Sequence, residues 1–184
     1  IFTVIVIINA FNLIDGVDGL AGGIGILSAI VFSILAFFSE DYDMALIGIA
    51  LIGSLLAFLR FNLPPAKIFM GDTGSLVVGL LLSVLAINLV NTGFRADAII
   101  FPNKGPLLSI AILAIPLFDS LRVFIFRLMK GKNPLFPDRN HIHHALLDLG
   151  YSHKTTAYFI FFGFLLNIIL TYFLLDININ YAIS

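Results

Sequence analysis

Long apolar runs, broken by short polar or glycine- and proline-rich connections, make up nearly the whole chain. The apolar windows fall at 1–11, 20–38, 44–59, 75–90, 107–128 and 157–175, and the connections at 12–19, 39–43, 60–74, 91–106 and 129–156. Several windows approach the roughly 20 residues that an α-helix needs to cross hydrocarbon. None resembles the roughly ten-residue alternating segments of a transmembrane barrel, so helices are the spanning solution that satisfies every backbone group. The pattern predicts an all-α, polytopic membrane helical bundle, with about five full transmembrane helices after a truncated first span. It is expected to form one transmembrane domain over residues 1–184, the C-terminal part of a larger polytopic protein. The 44–59 window is short, and Gly48 and Gly53 there predict close helix packing.

Composition says the same thing from another direction. The 184 residues are 60% hydrophobic and 11% charged, with a mean hydropathy of +1.07, whereas a soluble domain carries about 25% charged residues. Lipid must be the solvent for most of this chain. The absence of cysteine removes disulfides, thiolate metal sites and cysteine nucleophiles from consideration. No nucleic-acid partner is expected. Ile1 opens inside an apolar run, with no basic region before it and no small-residue cleavage site, which reads as a truncated start rather than a signal peptide.

The few charges set an orientation. Arg60, Lys67, Arg122, Arg127, Lys130, Lys132, Arg139 and Lys154 fall on one side of the alternating connections, against Arg95 and Lys104 on the other. The positive-inside rule puts the first group in the cytoplasm, so segments 12–19, 60–74 and 129–156 share the cytoplasmic face. The acidic stretch Ser39-Glu40-Asp41-Tyr42-Asp43 falls opposite, as this orientation requires.

Those three segments hold the candidate chemistry. In the first, Asn12, Asp15 and Asp18 stand three residues apart with a glycine after each aspartate. On a helix they would lie along one face; if the glycines break it, backbone N–H groups open to a ligand; an ordinary helix cap and turn is the plain alternative. The second has Pro64 and Pro65 stiffening the approach to Gly71-Asp72-Thr73-Gly74. Asp72 there reads either as the cap of a helix starting near Ser75 or as a ligand for Mg²⁺ and phosphate, and the two are compatible. In the third, His141, His143 and His144 follow Arg139. Zinc is the first thought, but His-x-His-His on a helix cannot aim all three rings at one ion, and no Glu stands at zincin spacing. Anion recognition, with Arg139 as a bidentate phosphate donor, is the preferred reading over zinc or plain surface histidines. Asp119 lies inside the 107–128 window, where a charge near the centre costs about 2.5–3.5 kcal/mol. A structural ion pair with Arg122, three residues on, is the preferred reading, a proton or ion pathway the rival, and Pro116 is placed to kink the span.

Taken together and in order, NAFNLIDGVDGLAGG (9–23), FNLPPAKIFMGDTGSL (61–76) and PDRNHIHHALLDLG (137–150) resemble the polyprenyl-phosphate N-acetylhexosamine-1-phosphate transferases. The His-Ile-His-His form after Pro-Asp-Arg-Asn is similar to the bacterial branch that transfers GlcNAc-1-phosphate to undecaprenyl phosphate. The resemblance implies Mg²⁺-dependent transfer, with Mn²⁺ as a substitute metal, of a sugar-1-phosphate from a UDP-N-acetylhexosamine to a polyprenyl phosphate lipid, releasing UMP. It implies a multi-pass protein of the bacterial inner membrane, at the first membrane step of a cell-envelope polysaccharide pathway such as lipopolysaccharide or teichoic acid. A homodimer is left open. By resemblance Asp72 is the principal Mg²⁺ ligand, Asn12 supplies a second oxygen, and Asp15 matches an essential acidic position, counted with Asp72 and His141 as catalytic. Asp18 and Phe69 match the uracil pocket, as acceptor and stacking face, and Asn62, Arg139, His143 and His144 complete the substrate-binding set.

One departure counts: the family's aspartate-rich motif on an early cytoplasmic loop has no counterpart here. The chain therefore resembles the C-terminal half or more of a protein with about ten spans, and is expected to be inactive alone, with interior polar residues such as Asn88 and Asn167 lacking partners. A secondary transporter or an inactive membrane scaffold are the competing classes; transporters gather their coordinating groups at the bilayer midplane rather than in the loops of one face.

Overall fold

The computed structural model describes residues 1–93, 104–131 and 141–174. Within them lie eight helices and no strand: α1 (Phe2–Leu13), α2 (Leu20–Phe38), α3 (Tyr42–Asn62), α4 (Gly71–Gly93), α5 (Gly105–Ile112), α6 (Ala114–Met129), α7 (Ile142–Asp148) and α8 (His153–Leu174). Four are long and apolar enough to cross a membrane, and the bent pair α5–α6 would make a fifth. The all-helical reading holds, with edges shifted: α3 is 21 residues rather than the short span of its apolar window, and α4 begins at Gly71 rather than near Ser75.

The core gathers on α2, two thirds of which is buried, whereas α3 and α8 keep most of their surface outward as lipid-facing helices do. Phe11, Leu20, Ile24, Leu82, Ile112, Leu113 and Phe164 are its largest fully enclosed apolar side chains. Close approach is bought with small residues. At Gly48 an added Cβ would meet the Ser33 side chain and the Ala29 carbonyl of α2; Gly53, by contrast, faces open space, so only one of the two glycines expected to pack does so. The contact that matters most for the site is α1 on α4. A Cβ on Gly79 would lie 2.8 Å from the Cα of Ile8. In this antiparallel register, the step of one turn that leads from Ile8 to Asn12 leads back from Gly79 to Ser75.

The 107–128 window is not one straight span. It turns by 75° between α5 and α6. Pro116 has no N–H to give the carbonyl four residues before it, that of Ile112, and its ring crowds that carbonyl, so the break falls at Leu113. The loosened carbonyls are met from neighbouring helices: Asn167 Nδ2 donates to the Ala111 oxygen at 2.6 Å and Ser28 Oγ to that of Ile112 at 3.4 Å. Asn88 also has a partner, donating to Asp41 Oδ2 at 2.8 Å, while Asp41 Oδ1 caps α3 by accepting from the Met44 N–H at 3.2 Å. The expectation that Asn88 and Asn167 lack partners is therefore corrected. Both bind groups within this chain, one at a helix cap and one at a helix break.

Gly79→Ala should lower the thermal midpoint in detergent, since its methyl meets backbone that cannot swing away; overpacking of this kind costs about 1–3 kcal/mol. Gly53→Ala should leave the midpoint unchanged or raise it slightly, because nothing opposes the methyl and alanine favours helix. Unfolding followed by far-UV dichroism on the two variants checks the contrast.

Candidate functional site

The three polar segments meet at one end of the bundle, and hydrogen bonds fix how. Asn12, at the last turn of α1, donates its amide N–H to Asp72 Oδ1 at 3.1 Å and to Ser75 Oγ at 2.7 Å. Ser75 is fully buried and passes its own proton to the Gly71 carbonyl at 3.0 Å. Gly71 starts α4 at φ +61, a left-handed conformation that glycine adopts without strain, and its N–H donates to Asp15 Oδ2 at 3.1 Å. Asp15 and Asp72 are thereby held as neighbours. Burial raises the Asp15 pKa above the ordinary carboxylate value, the Gly71 N–H pulls it down, and the adjacent Asp72 carboxylate pushes it up again. A half-buried and an exposed carboxylate side by side, with an amide between them, form a donor set that suits a hard divalent cation, which needs only one or two protein oxygens and fills the rest with water or phosphate. Asn12 here turns its nitrogen rather than its oxygen to Asp72, because a carboxylate accepts and does not donate; a half-turn of the amide exchanges the two roles.

Asp18 lies beside this pair. Its Oδ2 accepts from the Ala66 N–H at 3.2 Å, and His153 at the start of α8 approaches from the other side, Nδ1 lying 3.3 Å from the Asp18 nitrogen and 3.5 Å from its Oδ1. As a neutral ring it takes the backbone N–H; as an imidazolium it pairs with the carboxylate. Phe69 is 76% exposed at the mouth of the loop, an open aromatic face. Asn62 has a different place from the substrate-contacting one expected of it. It is 3% exposed, its Oδ1 accepts from the Gly19 N–H at 3.0 Å, and its Nδ2 donates to the Ile68 carbonyl at 2.8 Å. Both ends of the amide are used in tying the 12–19 turn to the 62–71 loop. Gly19, at φ +77, needs glycine's freedom to present that N–H.

The histidine segment divides by burial. His141 precedes α7 and is buried, with Nδ1 2.9 Å from Asp119 Oδ2; the Ile142 N–H donates to Asp119 Oδ1 at 2.9 Å, and Arg122 donates to the same oxygen at 3.1 Å. The Asp119–Arg122 ion pair expected from the sequence is present, but it is one of three interactions at that carboxylate. His143, 1% exposed, packs against Gly16 so closely that a Cβ there would run into its Nε2. Its ring stacks on His141 at 5.7 Å and leans on His144 at 4.3 Å. Burial lowers its pKa to about 4, helped by the neighbouring His144 and His141, so it is neutral at pH 7. A buried neutral ring packed against Gly16 acts as a strut between two loops rather than as the anion donor expected of His143. His144 is half-buried, and Arg139 lies outside the described residues. No group of three or more His, Asp or Glu converges on one point among the described residues.

Not legible in the sequence are the long-range partners: Ser75 for Asn12, His153 for Asp18, and Asp119 for His141. Only the last left a signal. A carboxylate inside an apolar window needs more than one half-exposed arginine to offset its burial.

The profile of glycosyl transferase family 4 matches residues 1–90. The chain is 39% identical over 167 residues to the decaprenyl-phosphate N-acetylglucosaminephosphotransferase of Mycolicibacterium smegmatis, covering 84% of this chain and 41% of that protein. It is 36% identical over 163 residues to the probable undecaprenyl-phosphate N-acetylglucosaminyl 1-phosphate transferase of Bacillus subtilis, covering 88% and 44%. With the undecaprenyl-phosphate alpha-N-acetylglucosaminyl 1-phosphate transferase of Escherichia coli the identity is 35% over 158 residues, covering 84% and 41%. The chain thus spans about two fifths of the length of these relatives.

Because His143 has its pKa lowered from 6.5 to about 4, the released segment binds more protons than the docked one between those values. Docking is therefore at full strength above pH 6.5 and weakens as pH falls toward 4. Hydrogen exchange should show residues 141–148 losing protection across that window, and Gly16→Ala should expose the same residues already at pH 7.

Proposed function

We propose that the chain, which matches the profile of glycosyl transferase family 4 over residues 1–90 and is 35–39% identical to polyprenyl-phosphate N-acetylglucosamine-1-phosphate transferases, is a member of that family and carries the donor-side site of an enzyme that transfers N-acetylglucosamine 1-phosphate from its UDP-sugar to a polyprenyl phosphate. The observation that carries this reading is the meeting of Asn12, Asp15 and Asp72, beside Asp18 and an open Phe69, at one end of a membrane bundle. Phosphoryl transfer asks for positioning and charge neutralisation more than for covalent chemistry; this arrangement offers the first, and with a divalent cation it would offer the second.

Asp72, with Asn12 turned to offer its oxygen, would hold Mg²⁺, which when bound would supply charge neutralisation at the donor diphosphate. Asp15, held by the Gly71 N–H, faces the same point and sets the position of the α4 start. Asp18 accepts from the uracil, and Phe69 offers its exposed face for stacking. Asn62 and His143 brace the loops from within, leaving His141, His144 and Arg139 to address the sugar and pyrophosphate. The acceptor is the polyprenyl phosphate of a bacterial inner membrane, the active face is cytoplasmic, and the product enters a cell-envelope polysaccharide pathway. The 75° break at Leu113, with Asp119 just beyond it, is the one feature a transporter would share. Accumulation of label inside vesicles without a labelled lipid would favour that reading instead.

In the full-length enzyme supplied with radiolabelled UDP-GlcNAc and undecaprenyl phosphate, a chloroform-extractable labelled lipid should form. Asp72→Asn should reduce its rate by about 100-fold or more, the scale on which a preorganised electrostatic group acts. Phe69→Ala should weaken UMP binding by about two- to twelvefold, corresponding to the roughly 0.5–1.5 kcal/mol of a lost ring face, and Phe69→Leu should be nearly as harmful. Calorimetry with UMP reads this separately from turnover.

A further inference from the structure

Asp119 is the charge the proposed reaction does not use, and it is the most heavily bonded carboxylate among the described residues. It lies in α6, six residues past the break at Leu113, and is 5% exposed. An ionised carboxylate only accepts, and here both oxygens are filled: Oδ1 by the Ile142 N–H at 2.9 Å and by Arg122 at 3.1 Å, Oδ2 by His141 Nδ1 at 2.9 Å. Two of the three donors come from the histidine segment. The Ile142 N–H is a first-turn donor of α7 with no acceptor inside that helix, and the residue before it, His141, makes no side-chain cap. Asp119 thus caps α7 from another helix while gripping the ring that precedes it.

The grip has a chemical consequence. With Oδ2 able only to accept, the nitrogen facing it must be the protonated one, so His141 carries its proton on Nδ1. In the neutral ring Nε2 is then the nitrogen with a lone pair. The ring cannot rotate to exchange the two, because it is 3% exposed and stacked within 6° of parallel on His143, which is itself buried against Gly16.

We propose that Asp119 is a positioning residue for His141: it fixes the Nδ1–H form of the ring and so presents Nε2 as the proton acceptor of the site. Resting on the transferase reading, what Nε2 meets is the acidic O–H of a phosphate monoester. The O–H bond breaks as the Nε2–H bond forms, Asp119 balances the resulting imidazolium, and solvent takes the proton after turnover. Asp119 touches no reacting atom in this scheme. It acts through His141.

The test uses the full-length enzyme with ¹⁵N-labelled histidine. In the parent, ring ¹⁵N shifts should assign the proton of neutral His141 to Nδ1, with His141→Gln identifying the signal. Asp119→Asn keeps an oxygen for Ile142 and Arg122 but turns an N–H₂ toward the ring, so His141 should move to the Nε2–H form. The rate constant kcat should fall about 10–100-fold, the usual range for a lost ring-orienting partner, with KM for the UDP-sugar little changed. A parent ring protonated on Nε2 overturns the proposal whatever the variant does. So does an Asp119→Asn enzyme with His141 in the Nε2–H form and parental kcat. A parent that makes no lipid product but shows the Nδ1–H form defeats the transferase reading and the role given to Nε2, while leaving Asp119 as the group that orients the ring.

Discussion

Two carboxylates of like charge, Asp15 and Asp72, are kept side by side, and much of the surrounding structure exists to keep them there. The Asp72 carboxylate raises the cost of ionising Asp15, so their proximity has to be enforced by contacts that favour it more. The enforcement comes in three layers. Backbone of α1 lies on backbone of α4 at Ile8 and Gly79, which brings the last turn of one helix to the first turn of the other. Asn12 then bridges to Asp72 and Ser75, and the Gly71 N–H engages Asp15. Left-handed Gly71 is what aims that N–H outward from the helix start. The result is a concentration of negative charge that the proposed divalent cation would offset.

The apolar interior follows a related logic with backbone groups in place of charges. A proline inside a span frees a carbonyl, and in lipid a freed carbonyl must find a donor from the protein. Asn167 and Ser28 supply donors at the α5–α6 break, from α8 and α2 respectively. At the opposite end, Asp41 serves the start of α3 with one oxygen and Asn88 of α4 with the other. Asn88, Asn167 and Ser28 are polar residues in otherwise apolar stretches, and the last two are placed where a neighbouring helix has lost its own hydrogen bonding.

The spans were readable because the solvent is lipid: a helix wrapped in hydrocarbon needs no periodicity, only length and apolarity, and both are visible in one dimension. The loops were readable because Asp, Gly and His cluster within a few residues of one another. What sequence could not reveal was set by contacts between distant residues. Asn62 looks like a site residue by its company, yet its amide is spent on Gly19 and Ile68. His143 sits in the same short run as His141 and His144, but packing against Gly16 makes it neutral and structural. Gly53 and Gly48 are equivalent in the sequence, and only the second meets another helix. Pro116 announced a kink, but the break lies three residues upstream because the group it deprives is the Ile112 carbonyl.

Burial, read across the three segments, separates what holds the site from what the site can hold. Asn62, Ser75, His141 and His143 are all enclosed, and each carries a contact to another segment: Asn62 to the 12–19 turn, Ser75 to α1, His143 to Gly16, His141 to α6. Asp72 and Phe69 are exposed, and Asp15, Asp18 and His144 lie between. A ligand arriving from the open side therefore meets a carboxylate pair and an aromatic face first, with the histidine segment behind them. That order suits a nucleotide whose base and diphosphate are gripped at the rim while its reacting phosphorus is carried inward. The segment bearing His141 is fastened to α6 through Asp119, which takes both the His141 ring and the Ile142 N–H, so the enclosed ring is held from another helix rather than by the residues exposed at the rim.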